Sequence, residues 1–318
     1  TLLSDGQFHS GEALGAALGV SRMAVWKHIR ALRDYGVQLE IVRGKGYRLP
    51  GSIELLDSQT ILADVRPETR AQLAAVEIFL EIDSTNTYLR QKALDGSASG
   101  TVCIAEMQQA GRGRHNRHWV SPFAANLYLS LLWRSEEGVT GLGGLSLVAG
   151  VALVRSLKTF NIDSCGLKWP NDVLVDGAKL AGILIDVTGE STGPCSVIIG
   201  IGINVSMPDS AAAHIDQSWT DLCTLTGQDR FPRNQLAVSV LDCILAAINE
   251  FEQFGLQPFL DEWRQHDVVN GRQVDVHLPN ALVQGTACGI DAGGALLVET
   301  ATGRRRFASG EVSLRVAS

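Results

Sequence analysis

FHSGEALGAALGVSRMAVWKHIRALRDYGV, residues 8–37, reads as two short helices joined by a glycine turn. Ser10 stands where an N-cap hydroxyl accepts from the first free amides, and Glu12 in the opening turn meets the positive end of the helix dipole. Gly19 supplies the left-handed residue on which such a helix stops. Ser21 then caps a second helix, along which Val25, Ile29 and Leu32 recur at i, i+4 and i+7 and share one buried stripe. Arg22, Met23, Lys27, Arg30 and Arg33 fall off that stripe. Cations at the start of a second helix, after a glycine turn, match the helix-turn-helix plan, in which that start enters the major groove of DNA. VQLEIVRGKGYRLP, residues 37–50, alternates like two strands turning through Arg43, Gly44, Lys45 and Gly46, a basic hairpin suited to touching phosphate as a wing. Ser21, Arg22, Met23, Lys27, Arg30, Arg43 and Lys45 are therefore the candidate DNA contacts. A small protein-docking module with solvated cations is the alternative. The joint occurrence of a basic hairpin tip and a basic helix start favours DNA.

Charge follows the same division. Residues 1–50 carry Arg22, Lys27, Arg30, Arg33, Arg43, Lys45 and Arg48 against Asp5, Glu12, Asp34 and Glu40, a positive surplus of three on a chain of net charge −7. A small basic head on an acidic body is the asymmetry of a nucleic-acid-binding appendage. Pro50, Gly51 and Ser52 mark the linker, and the head is assigned to residues 1–55. With 318 residues, 45 % hydrophobic and 19 % charged, the chain has material for two or three globular domains. No run of about 18 apolar residues could span a bilayer. The chain opens at Thr1 without a signal-peptide pattern, and Cys103, Cys165, Cys195, Cys223, Cys243 and Cys288 show no metal-ligand spacing. A reducing, cytoplasmic setting without membrane association is expected.

From about residue 61, stretches of period-2 and period-3.6 character alternate. Val76–Ile82, Thr101–Met107, NLYLSLLW, GLKW, GILIDV and SVIIGIGINV are strand-like, while Thr85–Leu94 and the stretches 144–160 and 234–255 are helical. An α+β multidomain protein follows, with a central mixed-sheet domain over 61–267. Residues 268–318 contain QVDVHL, ALVQGTACGI, ALLVET, RRRFA and EVSLRV, separated by Pro-Asn, Asp-Ala-Gly-Gly and Thr-Gly turns, which predicts a five-stranded SH3-like small β-barrel. Arg304, Arg305 and Arg306 read as a guard against strand-edge pairing.

Several body motifs are bland one by one. EIDSTN, 81–86, sets Ser84, Thr85 and Asn86 after a strand, where a plain helix cap accounts for them. KWPND, 168–172, ends a strand, with Pro170 disfavouring helix at Trp169 before Asn171 and Asp172 are presented. Lys179, in GAKLAGIL, lies immediately ahead of a buried strand, where a lone lysine is ordinarily solvated. Taken in order, EIDSTN, QQAGRGR, W-x-SP-x-x-AN-x-YLS, KWPND, KLAGIL and GIGIN resemble the biotin-protein ligases. With the basic head in front, the chain resembles the bifunctional form, ligase and biotin-operon repressor in one molecule. The resemblance runs from about residue 8 to residue 315 and rests most on GRGR, KWPND and KLAGIL.

What the resemblance implies is a loop, GRGRHNRHW at 111–119, that holds biotin, ATP and the mixed anhydride biotinyl-5'-AMP. Elementary electrostatics agrees. A carboxylate driven onto a triphosphate meets repulsion of roughly 1 kcal/mol per charge pair at 4 Å in water and about 4 kcal/mol at an effective dielectric of 20. Fixed cations and Mg2+ must cancel it. Planar arginine forks grip such oxygens, and glycines let main-chain N–H groups approach. The loop is expected to be mobile when empty and to close on ligand.

By position in the family motif, Ser84, Thr85, Asn86 and Gln108 fall around biotin's ureido head, and Arg112, Gly113 and Arg114 touch biotin or its adenylate. Lys179 falls beside the biotin carboxylate, where it stabilises the pentacovalent α-phosphate; with Arg114 and Asp172 it forms the catalytic set. Arg117, Trp119, Asn171, Asn204 and Arg315 are the nucleotide-side candidates, and Asp172 is the candidate aid to Mg2+ or to the incoming amine. The carrier's own lysine attacks the anhydride, so no Ser-His-Asp or catalytic cysteine is required. There is no Walker A loop, and GIGIN lacks the third glycine of a dinucleotide fingerprint. Implied partners are the biotin carboxyl carrier subunit of acetyl-CoA carboxylase, operator DNA and, with ligand, a second copy of the chain. A non-catalytic biotin-sensing repressor and a lipoate-protein ligase are the rival readings, disfavoured by intact Arg114, Lys179 and Asp172 and by the complete GRGR and KWPND motifs respectively.

The loop departs from the family's usual GRGRRGR followed by a basic residue and Trp: His115 and Asn116 replace Arg and Gly, and His118 replaces Lys. Asn tolerates a left-handed backbone nearly as well as glycine, so closure is expected to survive. Fewer permanent charges should hold the adenylate less tightly. His115→Arg is expected to slow adenylate release, and an unchanged dissociation rate in a chase with unlabelled ligand would refute this.

Overall fold

The computed structural model describes all residues except 1, 4, 38, 50–52, 190–192, 279–280, 310–312 and 317–318, and the side chains of Thr140, Ser313, Arg315 and Val316 also lie outside the description. The expected linker, Pro50–Ser52, falls among the residues not described. At the head, α1 (Gly11–Leu18) begins where Ser10 Oγ accepts from Ala13 N at 3.0 Å and ends on Gly19 at φ 65°. α2 (Arg22–Asp34) begins where Ser21 Oγ accepts from Ala24 N at 3.2 Å. Val25 and Ile29 pack with Leu14, Leu3 and Leu49, and Leu32 lines the edge of that small core. The helices meet closely because Gly15 has no side chain: a Cβ there would stand 2.8 Å from the Val20 carbonyl oxygen. β1 (Glu40–Val42) and β2 (Gly46–Arg48) then form the antiparallel wing.

Two short helices, α3 (Ser58–Asp64) and α4 (Pro67–Gln72), lead into the central sheet. Its strands are β3 (Ala75–Phe79), β4 (Thr101–Ala105), β5 (Leu127–Ser135), β6 (Cys165–Lys168), β7 (Asp172–Val175), β8 (Ala178–Gly189) and β9 (Cys195–Ile203). Their order is β3-β4-β5-β9-β8-β7-β6, with β3 and β4 parallel and every other neighbour antiparallel. α5 (Thr85–Leu94) sits on one face, where Leu89 and Ala93 meet Cys103, Leu132 and Ile198. α6 (Leu145–Lys158) covers the other face and is buried on nearly all sides because α9 (Arg233–Phe254) packs over it in turn. Two short helices, α7 (Asp209–Ala212) and α8 (Leu222–Thr226), precede α9, and α10 (Gln257–Gln265) follows it.

The expected elements are found, with three corrections. Lys179 is inside β8 rather than ahead of a strand, because β8 starts at Ala178. The residues after KWPN form a strand absent from the expected set: Asp172 opens β7, which pairs with both β6 and β8. The first body strand stops at Phe79, and Ile82 makes only an isolated bridge to Gln108.

The tail forms one antiparallel sheet, order β13-β12-β11-β10-β14, from β10 (Gln273–Leu278), β11 (Ala281–Ile290), β12 (Leu296–Thr300), β13 (Gly303–Phe307) and β14 (Ser313–Val316). Val274, Val276, Leu296 and Val298 join the core of the central domain. Trp169 Nε1 donates to the Gly294 carbonyl at 3.0 Å, fastening tail to body beneath KWPND. No helix among the described residues is long and apolar enough to cross a membrane. All six cysteines are free thiols. Burial pushes the Cys165 thiol up to about 11, which removes its thiolate at neutral pH and suits a packing role.

Candidate active site

Strand register creates the floor of the site. Side chains alternate across a sheet, so Ile199, Ile201 and Ile203 enter the core while Gly200 and Gly202 face α5. Gly200 is level with Ser130 on β5 and Leu184 on β8; Gly202 is level with Tyr128 and Gly182. GIGIN is therefore a means of lowering the sheet surface by two side chains in a row. Two groups occupy the trough: Asn86 lies over Gly200, and the Trp119 indole lies over Gly202 and Gly182.

A buried polar chain runs along one wall. Ser84 Oγ caps α5 from its N-terminus, which settles a structural task for that hydroxyl. Thr85 N donates to Gln108 Oε1 at 2.9 Å, and Gln108 Nε2 donates to Ser121 Oγ at 3.1 Å. Ser130 Oγ stands 2.7 Å from Thr85 Oγ1 and 2.6 Å from Asn86 Oδ1. Asn86 Nδ2 donates to Asp186 Oδ2 at 3.1 Å, and Arg112 Nη2 donates to the same oxygen at 3.2 Å. Ser121, Ser130 and Asp186 are thus candidate site residues that sequence reasoning did not single out. For Ser130 and Asp186 the available signal was a polar residue interrupting an apolar strand, in NLYLSLLW and GILIDV.

The opposite end is charged. Lys179 Nζ is 2.7 Å from Asp172 Oδ1, the two side chains being only 16 % and 17 % exposed, and lies 5.3 Å from the centre of the Trp119 ring. Asn171 Nδ2 donates to the Ile183 carbonyl at 2.8 Å, and Asn171 Oδ1 accepts from Arg114 Nη1 at 3.4 Å. Arg114 Nη2 also donates to the Ser309 carbonyl of the tail. Burial draws the Arg114 guanidinium below its ordinary value, a cost that neighbouring Asp172 opposes. Asn204 Nδ2 donates to the carbonyls of Lys179 (3.2 Å) and Thr220 (3.1 Å), so this side chain supports the lysine's strand.

Between these ends the arginine loop folds back on itself. Gly113 N donates to the Arg117 carbonyl at 2.7 Å and Trp119 N to the Gly111 carbonyl at 2.8 Å. His115 and Asn116 both adopt left-handed backbone, φ 54° and 57°. Asn116 thus takes the conformation expected of it where the family has glycine, and His115 shares it. Arg117 and His118 are exposed. Arg112 Nε and Trp119 Nε1 are buried and lack a hydrogen-bond partner among the described residues. Arg315 pairs through its backbone with Asp275, but its side chain lies outside the described residues.

In the head, Arg22, Met23, Lys27, Arg30, Arg43 and Lys45 are exposed together, while the Ser21 hydroxyl is engaged as a cap. Trp26, 48 % exposed beside Arg30, belongs to the same surface and was not foreseen. The head also touches the body: the Tyr35 ring stacks on Phe123 with centroids 5.1 Å apart, and a hydrogen bond to Glu81 pushes the Tyr35 phenol up from its ordinary value.

Comparisons with known proteins follow the same three-part division. The biotin/lipoate A/B protein ligase family matches residues 79–204, an HTH domain family matches 1–48, and the biotin protein ligase C-terminal domain matches 270–315. Over 317 residues the chain is 42 % identical to a Salmonella typhimurium protein named bifunctional ligase/repressor BirA, spanning 100 % of this chain and 96 % of that one. It is 36 % identical over 230 residues to the biotin–[acetyl-CoA-carboxylase] ligase of Mycobacterium tuberculosis, 70 % of this chain and 83 % of the other. Among solved structures, the biotin protein ligase from Aquifex aeolicus in complex with biotin and ATP superposes with a TM-score of 0.66 at 27 % identity, over 77 % of this chain and 100 % of that one.

Proposed function

We infer the activity of this chain from its family, for it belongs to the biotin protein ligases, in the branch that joins ligase and repressor. It is an ATP-dependent ligase that attaches biotin to a carboxyl carrier protein, and it carries a DNA-binding head that represses transcription. The division into a head over 1–55, a ligase domain over 61–267 and a tail over 268–318, the last an SH3-like barrel, is part of this proposal. So are the roles of single residues.

The observation that carries the reading is the meeting of the Lys179–Asp172 pair with Arg114, through Asn171, at the end of a glycine trough. Biotin lies along the trough, against the Asn86 and Trp119 side chains that fill its floor, with its ureido head among Ser84, Thr85, Asn86 and Gln108. A neutral bicyclic urea needs short donors and acceptors in an otherwise apolar slot. Its carboxylate oxygen attacks the α-phosphorus of ATP, pyrophosphate leaves, and biotinyl-5'-AMP forms. Lys179 and Arg114 offset the charge gathering on the phosphorus oxygens, Asp172 holds the Lys179 ammonium in place, and Arg112 and Gly113 close over the acyl phosphate. Arg117, Trp119 and Asn171 flank the nucleotide, Asn204 serves by fixing the strand of Lys179, and Arg315 is assigned on family position alone. The amine of the carrier's lysine then attacks the acyl carbon, AMP leaves, and the amide remains.

Among the described residues no three His, Cys, Asp or Glu side chains gather as a metal site. Asp172, already tied to Lys179, does not fit a protein-held Mg2+. Magnesium is therefore read as an ion carried on the phosphates of ATP, and no step is assigned to it. The test is incubation with biotin, MgATP and purified carrier protein. Biotinylated carrier, with no competition from excess lipoate, is the expected result, and no labelling would end the assignment.

On the DNA side, α2 and the wing present Arg22, Met23, Lys27, Arg30, Arg43 and Lys45 to operator, and two heads on a ligand-promoted dimer read two half-sites. Sedimentation with and without biotinyl-5'-AMP tests the dimer: no gain in association with ligand removes it. Lys27→Ala is expected to weaken operator binding and to reduce the slope of log affinity against log salt by about 0.9, the loss of one phosphate contact. An unchanged slope would take Lys27 off the phosphate backbone.

A further inference from the structure

We propose that the buried Glu106–Arg233 ion pair is the positioning element for the arginine loop, and that the chain segment leaving the DNA-binding head is its third member; the proposal rests on the ligase reading above. Glu106 follows β4 directly and is fully buried. Its backbone carbonyl accepts from Ala124 N at 3.0 Å, so this one residue closes the base of the loop that carries Gln108, Arg112, Arg114 and Trp119. Its carboxylate accepts from Arg233 Nη1 at 2.8 Å and from Arg233 Nη2. Arg233, the first residue of α9 and 3 % exposed, reaches with the same Nη1 to the Asn126 carbonyl, 3.3 Å away on the returning side of the loop. One guanidinium thus holds both feet of the loop.

The other carboxylate oxygen of Glu106 accepts from Leu56 N at 2.6 Å. Glu54 bonds the same helix start, its carboxylate accepting from Arg233 N at 2.7 Å and from Asn234 Nδ2 at 2.9 Å. Asn234 Oδ1 accepts in turn from Asp57 N at 2.8 Å. The brace extends toward the charged end of the site, since Asn126 Oδ1 accepts from Val205 N at 2.8 Å and Val205 follows Asn204, the residue bonded to the Lys179 carbonyl.

A buried ion pair is not an economical way to stabilise a core, because desolvation consumes most of the Coulomb gain and apolar side chains of similar volume do as well. What it supplies is direction. A carboxylate with fixed lone pairs and a planar fork admit one arrangement of the backbones they bridge, whereas packed aliphatic side chains tolerate sliding. Neither Glu106 nor Arg233 bonds any group placed above around biotin or nucleotide, apart from the loop they anchor. They act through the pose of that loop.

The consequence is kinetic. Loosening the brace weakens the hold of the loop arginines on the adenylate, and a weakened hold on a bound ligand appears chiefly in its dissociation rate. In the full-length chain, Glu106→Gln is expected to raise the dissociation rate of biotinyl-5'-AMP by about 10- to 100-fold, and Glu54→Gln, a milder change, by several-fold. Ile244→Val, which removes one methyl group from the buried face of α9, controls for loss of stability and should leave the rate unchanged. All are measured by chase with unlabelled adenylate well below the melting temperature. Should Glu106→Gln not fold, Glu54→Gln decides. A wild-type release rate in Glu54→Gln, or an equal rise in Ile244→Val, overturns the proposal. If wild-type protein forms no adenylate at all, the ligase reading itself falls and takes this inference with it.

Discussion

Lys179→Met is expected to slow biotinyl-5'-AMP formation by about 10²- to 10³-fold, the loss found when one fixed group facing a developing oxyanion is removed. The expectation follows from where the ammonium stands. It is mostly shielded from solvent, with Asp172 at 2.7 Å on one side and the Trp119 face on another. In such surroundings a unit charge at about 4 Å from the reacting phosphate is worth several times its value in water. Arginine should not rescue it. A Cβ built on Gly182 would lie 3.2 Å from Lys179 Cε, which shows how closely the side chain follows the trough, and a planar guanidinium is wider and hydrogen-bonds in a different geometry. Pyrophosphate release from biotin and MgATP, without carrier, is the measurement. A rate within about tenfold of wild type would show that Lys179 supplies less than the 1.4 kcal/mol which tenfold represents, and would take it out of the chemistry.

The head and tail were legible because their signals are local. A cap hydroxyl, a glycine stop and a hairpin tip each act within four residues, so Ser10, Gly19, Ser21 and the strands from Gln273 onward could be placed without knowing the rest of the fold. β7 was missed for the converse reason. DVLV is four residues long and follows a proline, and its identity as a strand rests on pairing with β6 and β8, which no local pattern encodes.

The site divides in the same way. Arg114, Lys179 and Asp172 stand in motifs dense enough to be recognised, and they converge. Ser130 and Asp186 sit in apolar strands; Ser130 reaches the trough through the register that sets it against Gly200, and Asp186 through its bond from Asn86 Nδ2. Register belongs to the sheet, not to one strand. The Glu106–Arg233 pair is more remote still, joining residues 127 apart in the chain. A lone glutamate after a strand and a lone arginine at a helix start carry no pattern that would link them.

Gly200→Ala tests the trough itself and is expected to weaken biotin binding by about 100-fold, with a smaller effect on ATP. The added Cβ would stand 2.0 Å from Asn86 Oδ1 and 2.8 Å from its Cγ, distances that no side chain tolerates, so Asn86 must leave. Its departure breaks bonds to Ser130, to the Leu184 carbonyl and to Asp186, in a region where Asn86 is only 4 % exposed. At roughly 1 kcal/mol net for each bond, three losses cost about 3 kcal/mol within the wall of the free site, and a site that must rebuild that wall when it binds loses up to two powers of ten in affinity. The effect should fall on biotin because Asn86, Ser130 and Asp186 line the trough, whereas Lys179, Asp172 and Arg114 stand at its charged end. Backbone strain does not account for the change, since Gly200 lies in regular strand paired on both sides, where alanine is tolerated. Titration calorimetry with biotin and, separately, with a non-hydrolysable ATP analogue distinguishes the outcomes. Equal losses for both ligands would mean that the sheet is damaged as a whole, and an unaltered biotin affinity would mean that the vitamin does not rest against Asn86.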